Sequence, residues 1–346
     1  MTTTGIEHLV KQAGWSRTLG SPLTADVLAV LAEKLSDDSE TGRRIRNWPG
    51  DADDDAVSMR IAGGLHALAR RGTDSVLSAL YRGGGGDPAI IIPRIVAEHD
   101  DWLAKWLDLP PQTNEVARAG VLWPGLMEIA ERFGPDMEWL ELGSSAGLNL
   151  NMDRFSYDLG GVLAGEATSL VQIKPEWRGP PPRVARINVV DRVGVDRDPV
   201  DLTDAEQVER LTSFVWAGMA DRMARIEGAI AIAADHPPRI ERGDLVDWLE
   251  MQLNRPQQPG VTRVIFHSIT FQYIPQSARA RVERLLEIAG KRATVEKPLA
   301  RLQMEMVEFG KPIHLGLQCW PGSGAIETLA HVHPHGAVIN WVGTAA

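Results

Sequence analysis

The chain holds a single cysteine, Cys319, among 346 residues. One thiol closes no intramolecular disulfide and supplies no cysteine-rich zinc site, and such a composition suits a reducing compartment. Basic charge is also in deficit. The 36 Lys and Arg against 46 Asp and Glu give a formal net charge of −10, which argues against a polyanionic partner, because nucleic-acid binding rests on clustered Lys and Arg neutralising phosphates. No apolar run approaches the roughly 20 residues that span a bilayer. The N-terminal stretch, interrupted by Glu7 and Lys11, does not resemble a signal peptide. The expectation is a cytoplasmic protein that meets neither membrane nor nucleic acid and acts on a small molecule or a protein side chain, with its oligomeric state unspecified.

At this length a single core is exceeded, and the chain reads as a helical cap domain at 1–112 followed by a Rossmann-like domain at 113–346. In the first, Val57, Ile61, Leu65 and Leu68 recur at helical spacing behind an acidic run at 51–55, which suits a helix N-terminus. Pro93 is expected in the first turn of a further helix whose face carries Ile95, His99, Trp102 and Trp106, until Leu109-Pro110-Pro111 stops it. The glycines at 83–86 read as a flexible link, and 89–92 as the one short strand candidate ahead of the second domain.

From Thr113 a helix bearing Leu122, Leu126, Ile129 and Phe133, bent at Pro124, leads into a strand at Trp139. Further strands are expected near 187–195, 240, 261–266, 299–307, 313–319 and 338–342, with helices interleaved around 211–230, 245–253 and 282–289. Seven strands alternating with helices predict a doubly wound α/β sheet.

The segment 139–150 carries the chemistry. An apolar strand runs through Glu141 into the turn Gly143-Ser144-Ser145-Ala146-Gly147 and toward a helix through Leu148, Asn149 and Leu150. Glycines let the backbone approach a ligand, and a following helix N-terminus offers unpaired N–H groups to a carboxylate or phosphate. Ligands of open α/β sheets bind beyond the carboxyl ends of the strands, and the later strands also end on polar residues. These are Asp196, then Gly243-Asp244, then His267-Ser268 followed by Gln272-Tyr273. Each has a plain structural reading: tight packing for the turn, a helix N-cap for Asp244, a hydrogen-bonded core histidine for His267. Four polar strand ends in succession favour a ligand site.

Glu141-Leu142-Gly143-Ser144-Ser145-Ala146-Gly147 resembles the first motif of the class I S-adenosylmethionine-dependent methyltransferases, Gly194-Val195-Asp196-Arg197-Asp198-Pro199 is similar to their second, and Gly243-Asp244 to their third. The resemblance covers 113–346. It implies a Rossmann-like, seven-stranded methyltransferase-type doubly wound sheet, an N-terminal all-helical domain over the cofactor crevice, and S-adenosylmethionine as cofactor. It further implies that Glu141 and the amides of Ser144 to Leu148 hold the methionine portion, Asp196 the ribose and Asp244 the adenine, with Gly143, Ser145, Gly147 and Asn149 among the cofactor-binding residues. His267 would accept a proton from the substrate with Tyr273 beside it, and Asn114, Arg118, Ser268 and Gln272 would shape the substrate pocket. Ser145 stands where the first motif has its middle glycine. Asp196 lies 55 residues beyond Glu141, whereas the dinucleotide fold places an acid about 20 residues on; an insertion across the Pro-rich stretch at 174–182 would explain the difference, and Asp158 and Asp191 are the alternatives. Thr113-Asn114-Glu115-Val116, the run 141–150 and His333-Pro334-His335-Gly336 together look like a bacterial family, domain of unknown function 2332, a resemblance that spans nearly the whole chain and implies no activity.

The same turn spells Gly-x-Ser-x-Gly, the nucleophile elbow of α/β-hydrolases. Ser145, Asp244 and His333 or His335 follow the order of an esterase triad, although a hydrolase elbow follows several strands and almost none precede Trp139. His331, His333 and His335 alternate as ligands on one strand face would, with His314 or His267 to join them, but Pro334 breaks the ladder and no metal is expected. The remaining alternative is a degenerate methyltransferase fold that binds a nucleotide or protein partner without turnover.

Overall fold

The computed structural model describes residues 2–306 and 312–343. Its helices are α1 (Gly5–Thr18), α2 (Pro22–Lys34), α3 (Glu40–Arg46), α4 (Val57–Arg71), α5 (Ser75–Tyr81), α6 (Pro88–Glu98), α7 (Asp100–Trp106), α8 (Ala119–Phe133), α9 (Ala205–Ser213), α10 (Ala220–Asp235), α11 (Leu245–Asn254) and α12 (Gln276–Gly290). Its strands are β1 (Asp136–Leu142), β2 (Ser156–Leu159), β3 (Val162–Gly165), β4 (Gln172–Ile173), β5 (Glu176–Arg178), β6 (Asn188–Asp196), β7 (Ile240–Arg242), β8 (Thr262–Ser268), β9 (Leu299–Met306), β10 (Ile313–Trp320), β11 (Glu327–Val332) and β12 (Val338–Trp341). The chain groups into two compact units, Met1–Thr113 with Thr203–Met223, and Asn114–Leu202 with Ala224–Ala346. Among the described residues no helix is long and apolar enough to cross a membrane.

The first unit is helical. Thr4 and Glu7 form a capping box at the start of α1, satisfying N–H groups that have no partner within the helix. Ile61, Leu65 and Leu68 of α4 are buried with Val27, Leu28, Ile92 and Leu103, the stripe their spacing predicts. Two local expectations change. Residues 89–92 are helical, because Asp87 caps and Pro88 opens α6, which leaves Pro93 inside the helix rather than in its first turn. Ile91 and Ile92 are buried while Ile90 is exposed, a one-sided burial. The run of Ile95, His99, Trp102 and Trp106 is also broken at His99, where α6 ends and α7 begins. The later segment joins this unit through specific contacts. The Ser213 carbonyl bonds to His66 Nδ1 at 3.1 Å, Glu209 pairs with Arg71, and a Cβ on Gly63 would meet the Phe214 ring at 2.7 Å.

The second unit is built on a nine-stranded sheet in the order β5-β12-β11-β10-β9-β8-β1-β6-β7. The five strands β7-β6-β1-β8-β9 pair in parallel and read 3-2-1-4-5 in their own sequence, the doubly wound order whose switch point falls between β1 and β8. The expected count of seven is corrected to nine: β11 pairs antiparallel with β10 and with β12, and the short β5 adds an edge beside β12. A second, three-stranded sheet has the order β3-β2-β4. The final residue of the strand expected at 299–307, Val307, lies outside the described residues.

Side chains alternate along each strand, and this alternation decides which site residues can meet. Leu140 and Leu142 of β1 pack with Ile265 of β8 and with Val246, Leu249, Val282 and Leu286 of α11 and α12. Trp139 and Glu141 therefore point to the opposite face, the α8 side, where a Cβ on Gly125 would meet Leu302 at 2.5 Å and Trp139 meets Phe266 edge-on.

Candidate active site at the switch point

The turn after β1 is left-handed at Gly143, Ser145 and Gly147, with φ of 72°, 52° and 68°. Ser145 is one of three non-glycine residues with positive φ among the described residues, and Ile269, at φ 53° in the loop after β8, is another. For a β-branched residue this conformation is a true outlier, of order 1–3 kcal/mol, and such strain gathers at functional sites. Here both residues flank the switch point.

The turn differs from its expected form in one respect. The helix expected after Gly147 is a short 3₁₀ segment, Leu148–Arg154, broken at Asn151. The main-chain N–H groups are turned inward as well. Gly143 and Ser144 donate to the Val195 carbonyl at 2.9 and 3.0 Å and Gly147 to the Ser144 carbonyl at 2.7 Å, Ser145 to Asp196 Oδ2 at 2.8 Å, and Leu148 to Asn114 Oδ1 at 2.8 Å. The room beside the glycines is filled by this chain: a Cβ on Gly143 would strike Thr270, and one on Gly147 would strike Ile240 and Pro238.

What the turn leaves open is a pair of buried acceptors. Glu141 is 3 % exposed and its Oε2 has no hydrogen-bond partner. Burial holds its carboxyl well above the usual carboxylate range; the Ser144 hydroxyl and Arg118 oppose that shift and the charge on Asp196 adds to it. Asn149, 1 % exposed, donates through Nδ2 to the Glu115 carbonyl at 3.4 Å and leaves Oδ1 unbonded. A buried acceptor without a donor costs about 1–3 kcal/mol. Asp196, at the end of β6, bridges the two loops by accepting from Ser145 and, through Oδ1, from Asp198 at 2.9 Å. Asp244 caps α11, accepting from Val246 at 2.9 Å and Asp247 at 3.3 Å.

The residues after β8 divide from Glu141. His267 lies on the Ile265 face, across the sheet, and is fully buried. Arg301 Nε donates to its Nε2 at 3.2 Å. Arginine only donates, so the ring proton sits on Nδ1 and is given to Glu305 Oε1 at 2.7 Å. Burial lowers the affinity of this ring for a second proton. With both nitrogens bonded and no surface exposed, His267 is set to orient its neighbours rather than to receive a proton from a ligand. Glu305 is the residue that sequence reasoning missed. Its Oε1 also accepts from the N–H groups of Thr270 at 2.8 Å and Phe271 at 3.2 Å, so it holds the strained loop, and Thr270 Oγ1 ties that loop to the Leu142 carbonyl at 3.2 Å. Gln272 and Tyr273 are exposed beyond it and Ser268 is partly buried.

One short segment gathers the loops. Asn114 bonds Leu148, the Glu115 carbonyl receives Asn149, and Arg118 donates from Nη1 to the Ser268 carbonyl and from Nε to the Pro334 carbonyl, each at 3.1 Å. Segment 114–118, the turn after β1 and the His-Pro-His-Gly turn thus converge, although 216 positions separate Arg118 from Pro334. His314 and His331 face one another at 4.6 Å between ring centroids, and among the described residues no three His, Cys, Asp or Glu side chains are grouped to hold a metal ion. No strand precedes Asp136 among the described residues, so the sheet order that presents a hydrolase nucleophile is not built here.

Neither the curated proteins nor the solved structures contain a match to this chain. Residues 7–341 match the family described as "Uncharacterized protein conserved in bacteria (DUF2332)", and the chain, with its three motifs drawn to one edge of the sheet, belongs to that family.

Proposed function

We propose that the switch-point edge binds S-adenosylmethionine and that the protein transfers its methyl group to a small molecule or protein side chain. The observation that carries the reading is the pair of orphaned buried acceptors, Glu141 Oε2 and Asn149 Oδ1, beside two strained loops at the point where doubly wound sheets bind ligands. This donor-poor setting fits the ammonium and the positive charge of that cofactor. Asp196, still able to accept further hydrogen bonds, fits its ribose hydroxyls. Because the amides of Gly143, Ser144, Ser145, Gly147 and Leu148 are bonded internally, side-chain acceptors rather than a main-chain cradle would hold the ligand. When bound, the cofactor supplies an electrophilic methyl group. The residues need only align an acceptor with it and exclude water.

The test is calorimetric titration of the full chain with S-adenosylmethionine and S-adenosylhomocysteine. Micromolar binding is expected, weakened about tenfold or more in Glu141→Gln, since a hydrogen bond to a charged group contributes about 1.5–3 kcal/mol. Silence with both ligands overturns the proposal.

A further inference from the structure

We propose that Glu283 of α12 is a positioning residue for the ligand site: acting through Arg301, His267 and Glu305, it holds the strained segment 269–271 against the turn after β1. The inference rests on the methyl-transfer reading only for the ligand whose binding it alters.

The contacts form an unbroken chain. Arg301 Nη1 donates to both carboxylate oxygens of Glu283, at 2.7 and 2.8 Å. Arg301 Nε donates to His267 Nε2 at 3.2 Å, and His267 Nδ1 donates to Glu305 Oε1 at 2.7 Å. That same oxygen accepts from the N–H groups of Thr270 and Phe271 at 2.8 and 3.2 Å. Thr270 carries the chain into the turn. Its Oγ1 donates to the carbonyl of Leu142, the residue after Glu141, at 3.2 Å, and a Cβ on Gly143 would stand 2.5 Å from its methyl group. The strands dictate this order. Ile265 pairs with Arg301 and His267 with Gln303, so Arg301, His267 and Glu305 share the face on which Val282 and Leu286 of α12 pack with Ile265.

Charge makes Glu283 more than one link among several. The Arg301 side chain is 1 % exposed, whereas that of Glu283 is 44 % exposed. The other groups bonded to Arg301 are neutral: Gln318 Oε1 at 3.1 Å and the His267 ring. Its Nη2 has no hydrogen-bond partner among the described residues, and the Phe271 ring centre lies 5.1 Å from its guanidinium carbon. A buried guanidinium stays charged, so that charge must be answered nearby. Burial works against it; Glu283 opposes the effect first, and Glu305 after it. Once Glu283 is neutral, Glu305 is the carboxylate left to answer Arg301. Drawn toward the guanidinium, Glu305 loosens its hold on the amides of Thr270 and Phe271. Ile269, at φ 53°, is then free to leave its strained conformation, and the loop withdraws from Gly143. The strained and relaxed forms of this loop are the two arrangements that such coupling requires.

The test compares the full wild-type chain with Glu283→Gln, Glu283→Asp and, as a control, Glu287→Gln, the same charge change at an exposed position of α12. Three quantities are measured: calorimetric binding of S-adenosylhomocysteine, hydrogen exchange at the amides of Thr270 and Phe271, and the NMR signal of the His267 Nδ1 proton, which lies in a fully buried ring. Glu283→Gln is expected to weaken binding roughly two- to thirtyfold, to speed exchange at the two amides ahead of the rest of β8 and β9, and to shift the His267 signal. Glu283→Asp restores all three in part, and Glu287→Gln keeps wild-type values. Unchanged binding in Glu283→Gln, an unmoved His267 signal, or faster exchange spread evenly over the sheet overturns this assignment and leaves the methyl-transfer reading standing. If the wild type binds no ligand, the methyl-transfer reading falls, while the exchange and His267 measurements, which need no ligand, still decide the role of Glu283.

Discussion

The raised proton affinity of Glu141 makes the proposed ligand measurable without knowing the substrate. In the free protein this carboxyl is buried, has one oxygen without a partner and is held well above the usual range by that burial, so it holds a proton more tightly than an exposed glutamate does. A unit positive charge brought to roughly 4 Å interacts with a carboxylate by about 4 kcal/mol at an effective dielectric constant of 20. That energy moves the ionisation equilibrium about a thousandfold toward the carboxylate, so S-adenosylmethionine should expel a proton as it binds. Titrations at pH 7 in phosphate and in Tris, whose ionisation enthalpies differ widely, report the proton count as the slope of binding enthalpy against buffer enthalpy. The expected slope is a net proton release with S-adenosylmethionine, a smaller one with S-adenosylhomocysteine, which lacks the sulfonium charge, and none for Glu141→Gln. Saturable binding with a flat slope in the wild type, or the same slope in both proteins, refutes the role given to this carboxyl.

Two further predictions concern the scaffold. Glu305→Ala removes the acceptor for His267 and for the N–H groups of Thr270 and Phe271, so hydrogen exchange at those two amides should accelerate well beyond that of neighbouring β9 amides, with at least ~2 kcal/mol of stability lost; unchanged protection at both refutes the clamp. His66 is buried and its imidazole is lowered to about 4, chiefly by burial, with Arg70 adding to the effect. A folded value below the unfolded value of about 6.5 means the stabilisation is complete above that pH and is lost as pH falls toward about 4, by about 3 kcal/mol over the window. Urea denaturation at pH 7 and pH 4.5 should show a smaller loss for His66→Gln than for the wild type, and parallel losses in the two would contradict the assignment.

The parts of this fold that were legible in the sequence are those governed by local patterns. The strand into Glu141, the polar strand ends and the cap at Asp244 follow from hydrophobic runs bounded by turn residues and from side chains that hydrogen-bond nearby amides. What was not legible depends on which strands become neighbours. Glu141 and His267 both stand near the end of a strand, and only the pairing of β1 with β8 shows that they face opposite sides of the sheet. Glu305 escaped notice because the alternation Arg301, Gln303, Glu305 reads as the wet face of a strand. The structure instead buries Arg301 and Glu305 against His267, and an alternating polar face in so apolar a stretch was the available signal. The α-helix expected after Gly147 is instead a short 3₁₀ segment broken at Asn151, although Asn114 accepts from the Leu148 amide at its start.

The polypeptide passes between its two units after Thr113, after Leu202 and after Met223. One proteolytic nick therefore separates neither part, and a fragment ending near 113 would lack the Phe214 ring that covers Gly63 and the carbonyl that engages His66. Truncation mapping of this protein will accordingly register as misfolding before it registers as lost activity, and informative deletions must excise or retain the segment at 203–223 together with the helices it completes.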